Sequence, residues 1–230
     1  MAPRSPDLEL LHYIGRHGVL TVEHVIAALG IHRATAFRHI ASCVEDRLLE
    51  RFTLPHSKLA LLRATRRGLR YAGLLDLPGA EVSLSSLDHR LRCASTAQLL
   101  LEELPLATIL SERDVRARER SCNQLIASAR LANSRLRLPD LAVLTPTATI
   151  SIEVELSPKG PARLDPLIEA WKQATHVSGV RYYTKPGPTR RGVERAIHKA
   201  HASDRIQVFD APLARLPLIH RAPAHAPQPR

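Results

Sequence analysis

Residues 22–40 read VEHVIAALGIHRATAFRHI, and this stretch decides the fold of the N-terminal part of the chain. Ile26, Ala27 and Leu29 form a short apolar helix face. Gly30 supplies the tight turn, where a residue without Cβ costs least. Thr35, Ala36 and Ile40 fall where a second helix packs back on the first, and Arg33, Arg38 and His39 fall on its outer face. A helix presented in this way fits the DNA major groove, with basic side chains near its start reaching phosphates or base edges. The spacing predicts a helix-turn-helix with Arg33, Thr35, Arg38 and His39 at double-stranded DNA. The plainer alternative is a helical hairpin in an ordinary core.

The flanks extend the pattern. Asp7 to His17 carries apolar residues at 8, 10, 11 and 14, a helical stripe. After the second helix, Leu49, Phe52 and Leu54, then Leu59, Leu61 and Leu62, flank a Pro-His-Ser-Lys turn. That is a β-hairpin with Pro55 as turn former. Three helices and a hairpin make the winged variant of the motif, with His56 and Lys58 at the wing tip, placed for a phosphate or a minor-groove edge. Thr65 is positioned to cap a closing helix through Leu75. Its arginines, 66, 67 and 70, read equally well as a solvated face.

The 230 residues suffice for one large or two small domains. The formal net charge of +11 favours a polyanionic partner through long-range steering. This charge is spread over the chain: residues 1–84 carry 11 Lys and Arg against 8 acids, and residues 85–230 carry 22 against 14. Aromatic residues are only 3%, too few for stacking platforms that hold single strands. Cys43, Cys93 and Cys122 lie far apart with no pairing or metal spacing, which points to a reducing compartment. With no signal peptide and no apolar run of membrane length, the expected location is cytoplasmic. The crowded histidines of the first domain show no zinc-like spacing. His89, close after the linker, reads either as a neighbour of the acidic site or, as the preferred reading, as a cap of its helix, and Trp171 is expected to sit in the core.

The expected domain organisation is a winged helix over 6–75, a linker over 76–86, a second domain over 87–210 and a flexible Pro- and Ala-rich tail over 211–230. Leu87 to Leu104 is a strong helix stopped by Pro105, and Ala107 to Leu110 is a short strand. Ser111 to Arg137 is rich in Arg and Ser, with a short helix expected near 123–132. LPDLAVL (138–144) and TISIEVEL (149–156) read as two strands joined by a Thr-Pro-Thr turn. Ile150, Ile152, Val154 and Leu156 alternate with Ser151, Glu153 and Glu155, which puts the glutamates on the opposite, open face. Helices over 162–177 and 189–201 alternate with strands over 179–184 and 206–209. The fold class is therefore α+β: a winged helix followed by an α/β sandwich with a mixed sheet.

On a hairpin of those two strands, Asp140, Glu153 and Glu155 converge. Three carboxylates repel one another and resist desolvation, and a divalent cation relieves both. Mg²⁺ or Mn²⁺ on Asp140 and Glu153 is the oxygen-ligated match. Such an ion polarises a phosphate and activates water. Glu155 and Lys159 complete the candidate catalytic set, and Arg113, Arg116 and Arg118 are placed to hold DNA beside it. The plainer alternative has the glutamates lining an exposed face and paired with arginines.

PD, twelve residues, then E-x-E on the next strand, in the order helix–strand–strand–strand–helix–strand, resembles the PD-(D/E)XK nuclease-like fold over residues 87–209. The resemblance implies that Asp140 and Glu153 are the metal-binding acids. Glu155 occupies the usual place of the catalytic lysine, a departure that leaves Lys159 to supply the positive charge. The winged helix together with SERDVRARER, LPDLAVL, IEVELSPKGPARL and GVRYYT is similar to the replication-relaxation family of mobile-element proteins. Glu112 and Arg113 match its Ser-Glu-Arg segment, and Glu153, Glu155, Lys159 and Arg163 match its late motif. That resemblance implies a DNA-binding protein of a plasmid or integrated element, acting in replication, relaxation or mobilisation, with metal-dependent nicking as the implied enzymatic activity. A further reading is a partner-binding accessory factor that recruits a relaxase or replication protein, and a homodimer is the candidate assembly. The alternative is a winged-helix transcription regulator whose second domain is a non-catalytic module for partner binding or dimerisation.

Overall fold

The computed structural model describes residues 6–54, 59–81 and 83–212. Its N-terminal part runs α1 (Pro6–His17), β1 (Val19–Leu20), α2 (Val22–Leu29), α3 (Arg33–Glu45), β2 (Leu49–Phe52), β3 (Leu61–Ala64) and α4 (Arg66–Tyr71). Gly30 caps α2 at φ 62°, the left-handed conformation that turns the chain into α3. The apolar faces of the three helices meet over Leu10, Leu11, Ile14, Val25, Ile40 and Leu62. The three strands pair in the order β1-β3-β2, all antiparallel. This is the expected winged helix. The Pro55–Lys58 turn, with His56 and Lys58, lies outside the described residues.

The closing helix is shorter than expected. Gly73, at φ 69°, lets the Leu74 amide fold back onto the Leu69 carbonyl at 2.8 Å, ending α4 before Leu75. Leu77 and Ala80 in the following connection are buried.

The second part begins with α5 (Leu84–Glu103), capped by a reciprocal Ser83–Ser86 box. There follow β4 (Thr108–Ser111), α6 (Glu112–Cys122), β5 (Ala129–Arg130), β6 (Leu136–Arg137), β7 (Leu141–Leu144), β8 (Thr149–Glu155), α7 (Pro161–Gln173), β9 (Gly179–Thr184), α8 (Pro188–Lys199) and β10 (Ile206–Asp210). Five strands form one mixed sheet in the order β10-β9-β8-β7-β4. The pairs β4–β7 and β7–β8 are antiparallel, whereas β8–β9 and β9–β10 are parallel. The 138–156 segment therefore folds back as a hairpin, closed by Thr145 and Ala148. On one face Leu141, Val143, Ile152, Val154 and Tyr183 pack with Ala97 and Leu100 of α5. On the other, Val180, Tyr182 and Ile206 pack with Leu164, Ile168 and Trp171 of α7 and Val193 of α8.

Two expectations change here. The helix in the Arg- and Ser-rich stretch spans 112–122 and not 123–132. Ser111 and Asp114 cap its start reciprocally, and Asn123 ends it at φ 52°. The buried Glu119 carboxylate then accepts the amides of Ile126, Ala127 and Ser128 at 2.8, 2.9 and 3.0 Å, which holds that segment in a bend ahead of β5. Burial alone would raise the Glu119 carboxyl, but the Ser128 hydroxyl and these amides bring it below its ordinary range.

The second change concerns β8, which has no open face. Ser151, Glu153 and Glu155 are all buried, because β8 is the central strand with layers on both sides. Ala211 and Pro212, expected as the start of the tail, are tied to the sheet and to α5, and residues 213–230 of that tail lie outside the described residues. The Ala211 amide bonds the Thr184 carbonyl, and Arg92 donates to the Pro212 carbonyl.

The two parts share a core. Val19, Leu59 and Leu61 of the winged helix pack with Ala80, and with Leu87 and Leu91 of α5. His24 of α2 is fully buried, and its Nε2 lies 3.1 Å from the Leu91 carbonyl and 3.2 Å from the Ser95 hydroxyl. No helix among the described residues is long and apolar enough to cross a membrane.

Candidate nucleic-acid interface and acidic cleft

The outward face of α3 carries small side chains around one cation. Ala34, Arg38, Ala41 and Ser42 are all exposed. They recur at three- and four-residue spacing and so share a face. Arg33 is also exposed, but it stacks over the Phe37 ring at 5.3 Å and lies 3.6 Å from the Glu23 carboxylate of α2. Thr35 is half-buried beside it. His39 does not face outward: its Nδ1 is 2.8 Å from the Asp7 carboxylate of α1. Of the four helix residues read from the sequence, Arg33 and Arg38 are those the fold leaves exposed to a groove.

The three arginines of α6 that the sequence assigned to DNA have different surroundings. Arg113 donates to the Pro78 carbonyl and is half-buried against the N-terminal part. Arg116 pairs with Glu112 one turn earlier at 2.5 Å, and Arg118 is exposed.

Asp140, Glu155 and Lys159 line a cleft of about 490 Å³ at one end of the sheet, and Glu153 lies buried beside it beneath Arg137. The cleft lies between the first turns of α5 and the end of β8. Its charged lining comprises Asp88, His89, Arg137, Asp140, Glu155, Lys159 and Lys185. Asp140 stands just before β7 and folds over the strand pair. Its Oδ2 accepts the Val154 amide at 2.8 Å, and its Oδ1 meets His89 Nε2 at 3.1 Å. Glu153 is buried, and both of its oxygens are held by Arg137, one of them at 2.9 Å and the other by a second, parallel hydrogen bond. Glu155 pairs with Lys159, and Lys185 at the end of β9 meets Asp88 at 3.1 Å. Each carboxylate that faces the cleft therefore has a cationic or histidine partner.

Burial would raise the Asp140 carboxyl, but the His89 hydrogen bond and charge, with Arg137, hold it below its ordinary value. His89 is raised in turn, first by its hydrogen bond to Asp140 and against its own burial. The Glu153 carboxyl is pushed up to about 7 by burial, against the pull of Arg137 and with the help of the nearby Asp140 charge. As arranged, Asp140 and Glu153 do not fit an oxygen-ligated dication bound by both. Such an ion needs carboxylate oxygens facing it, and it would have to displace the guanidinium that already neutralises Glu153.

Sequence reasoning did not assign Arg137 or Lys185 to this cleft, and for His89 it ranked the cleft second. Arg137 lies three residues before Asp140 and is brought over Glu153 by β6. His89 was expected to cap its helix, a task that Ser83 and Ser86 perform instead. Lys185 follows β9, and the carboxyl end of a parallel strand is where ligand-facing groups collect. One contact of a cysteine was also not read from the sequence. His89 and Cys93 stand one helical turn apart, with Sγ 3.5 Å from Nε2.

Residues 3–58 match the MarR family. No curated protein matches the chain. The match covers both helices of the helix-turn-helix and the first wing strand, the elements that carry Arg33 and Arg38. The N-terminal part of this chain is thus a DNA-binding winged helix-turn-helix domain similar to that of the MarR family.

Proposed function

We propose that the protein binds duplex DNA through α3 and acts in the replication, relaxation or mobilisation of a plasmid or integrated element. The single observation that carries the DNA-binding part is the outward face of α3, where exposed Arg38 stands among Ala34, Ala41 and Ser42. Small neighbours let the helix backbone approach the groove floor, and one long cation on that face can reach a guanine edge. The net charge of +11 supports the same partner. The role in a mobile element rests on the resemblance of the whole chain to the replication-relaxation family. The mixed sheet, with three antiparallel strands followed by a parallel one across a helix, is compatible with it.

The test is a gel-shift series with duplex DNA. Arg38→Ala is expected to weaken binding by about 1–3 kcal/mol if it reads a base edge. Binding should fall steeply with salt, each neutralised phosphate adding about −0.9 to the log–log slope. An Arg33→Ala/Arg38→Ala protein that binds as tightly as the wild type would remove this assignment.

A second reading is favoured by one observation. The guanidinium of Arg137 occupies both oxygens of Glu153, the residue that metal-dependent cleavage would require. On this reading the protein is a winged-helix regulator whose second domain binds a partner without chemistry. Supercoiled plasmid incubated with Mg²⁺ or Mn²⁺ separates the two. Nicking by the wild type that is lost in Asp140→Asn and Glu153→Gln supports the enzymatic form. Intact plasmid with unchanged DNA affinity supports the regulator.

A further inference from the structure

We propose that His89, Cys93 and Asp140 form a binding site for a thiophilic divalent metal ion, with zinc as the natural occupant. The site shares Asp140 with the oxygen-ligated pair read from the sequence but has a nitrogen and a sulfur donor in place of Glu153, and it does not depend on which functional reading holds.

The argument is geometric. His89 and Cys93 occupy positions i and i+4 of α5, so both side chains leave the same face of one rigid helix. Asp140 reaches the same point from the start of β7. His89 Nε2 is 3.1 Å from Asp140 Oδ1 and 3.5 Å from Cys93 Sγ. One donor atom from each residue lies within 4.8 Å of the other two. Zinc binds imidazole nitrogen and carboxylate oxygen at about 2.0–2.2 Å and thiolate at about 2.3 Å in a tetrahedron. Those bond lengths set the edges of the tetrahedron at about 3.3 Å for N···O and about 3.5 Å for N···S. These two separations are close to both, and the third, from carboxylate oxygen to sulfur, is within 4.8 Å, against about 3.5 Å in the tetrahedron, so an ion would draw Asp140 and Cys93 together as it enters.

The surroundings suit such an ion. The second oxygen of Asp140 is fixed by the Val154 amide at 2.8 Å, which orients the first towards the histidine. A cavity of about 140 Å³ adjoins all three residues and is also lined by Ser111, Glu112 and Arg113. It leaves room for a fourth ligand, a water or an incoming anion, as in zinc sites with three protein ligands. The donor set also selects the ion. Imidazole and thiolate favour zinc and its neighbours, whereas magnesium and manganese prefer oxygen alone.

The experiment is a cobalt titration of the full-length protein after treatment with a chelator, in the absence of DNA. One equivalent of Co²⁺ should produce a thiolate-to-cobalt charge-transfer band and the intense visible bands of four-coordination, and Zn²⁺ should bleach both. The charge-transfer band should survive Cys122→Ser and Cys43→Ser/Cys122→Ser, in which Cys93 is the sole thiol, and should be lost in Cys93→Ser. Asp140→Asn should weaken cobalt binding at least tenfold. If Cys93→Ser fails to fold, the protein with Cys93 as its sole thiol still decides the matter. Absence of a charge-transfer band in the wild type, or a band that disappears with Cys122→Ser alone, would overturn the site. Since gel-shift affinity is read separately, failure of the metal site leaves the DNA-binding assignment to its own test.

Discussion

Gly68 is where α4 lies directly on the backbone before the wing. A Cβ built there would stand 2.0 Å from the Leu48 carbonyl oxygen and 2.9 Å from its carbon. Backbone cannot swing aside as a side-chain end can, so Gly68→Ala should cost about 3 kcal/mol, the upper range for overpacking. Gly30 differs: it has open space around it but a φ of 62°, so Gly30→Ala should cost only about 1 kcal/mol of left-handed strain. Urea unfolding of the two variants checks the contrast, and equal losses would contradict it. His17 adds a pH dependence at the same scale. Burial pushes its imidazole down to about 4, against the attraction of Asp114. The unfolded chain takes up that proton near 6.5 and the folded chain does not, so the contribution of His17 to stability is lost as pH falls from about 6.5 towards 4. Stability measured across this window should decline less steeply in His17→Gln than in the wild type.

At the scale of elements, α6 depends on its first turn. It buries little apolar surface, with Val115 fully covered and Ala117 partly so. The Ser111 hydroxyl bonds both the Asp114 amide and its carboxylate. Ser111→Ala should therefore cost about 1–2 kcal/mol and speed amide exchange in residues 112–122 more than elsewhere. Uniform loss of protection would argue against a local cap. The same helix marks the limit of what the sequence disclosed. The Ser-x-x-Asp box was present in SERD, but an apolar stripe was wanting, and the helix was placed too far along. The winged helix was legible because Gly30 and the apolar spacing of α2 and α3 agree with each other. The β7–β8 hairpin was legible because alternation fixes its register. The burial of Glu153 was not, because a central strand covered on both faces can alternate like a half-exposed one when its second face holds paired charge. Arg137 supplies that pairing from a two-residue strand with no pattern of its own.

Across the whole molecule, α5 belongs to both parts. Its first turns pack on the winged helix through Leu87 and Leu91, and its later turns pack on the sheet through Ala97 and Leu100. The buried His24 adds a polar tie to the Leu91 carbonyl and Ser95. We expect one cooperative unfolding transition for the two parts together. Leu91→Ala should lower stability by about 2–5 kcal/mol and reduce amide protection in both α2 and β8. A calorimetric trace with two separable transitions in the wild type would refute this coupling. The packing of α5 has a further consequence during synthesis. The winged helix leaves the ribosome before α5, and the apolar surface of Val19, Leu61 and Ala80 stays uncovered until residues 87–91 emerge. A nascent chain stalled before Leu87, or a fragment cut there, keeps that adhesive surface and becomes a client for chaperones before it can be a reader of DNA.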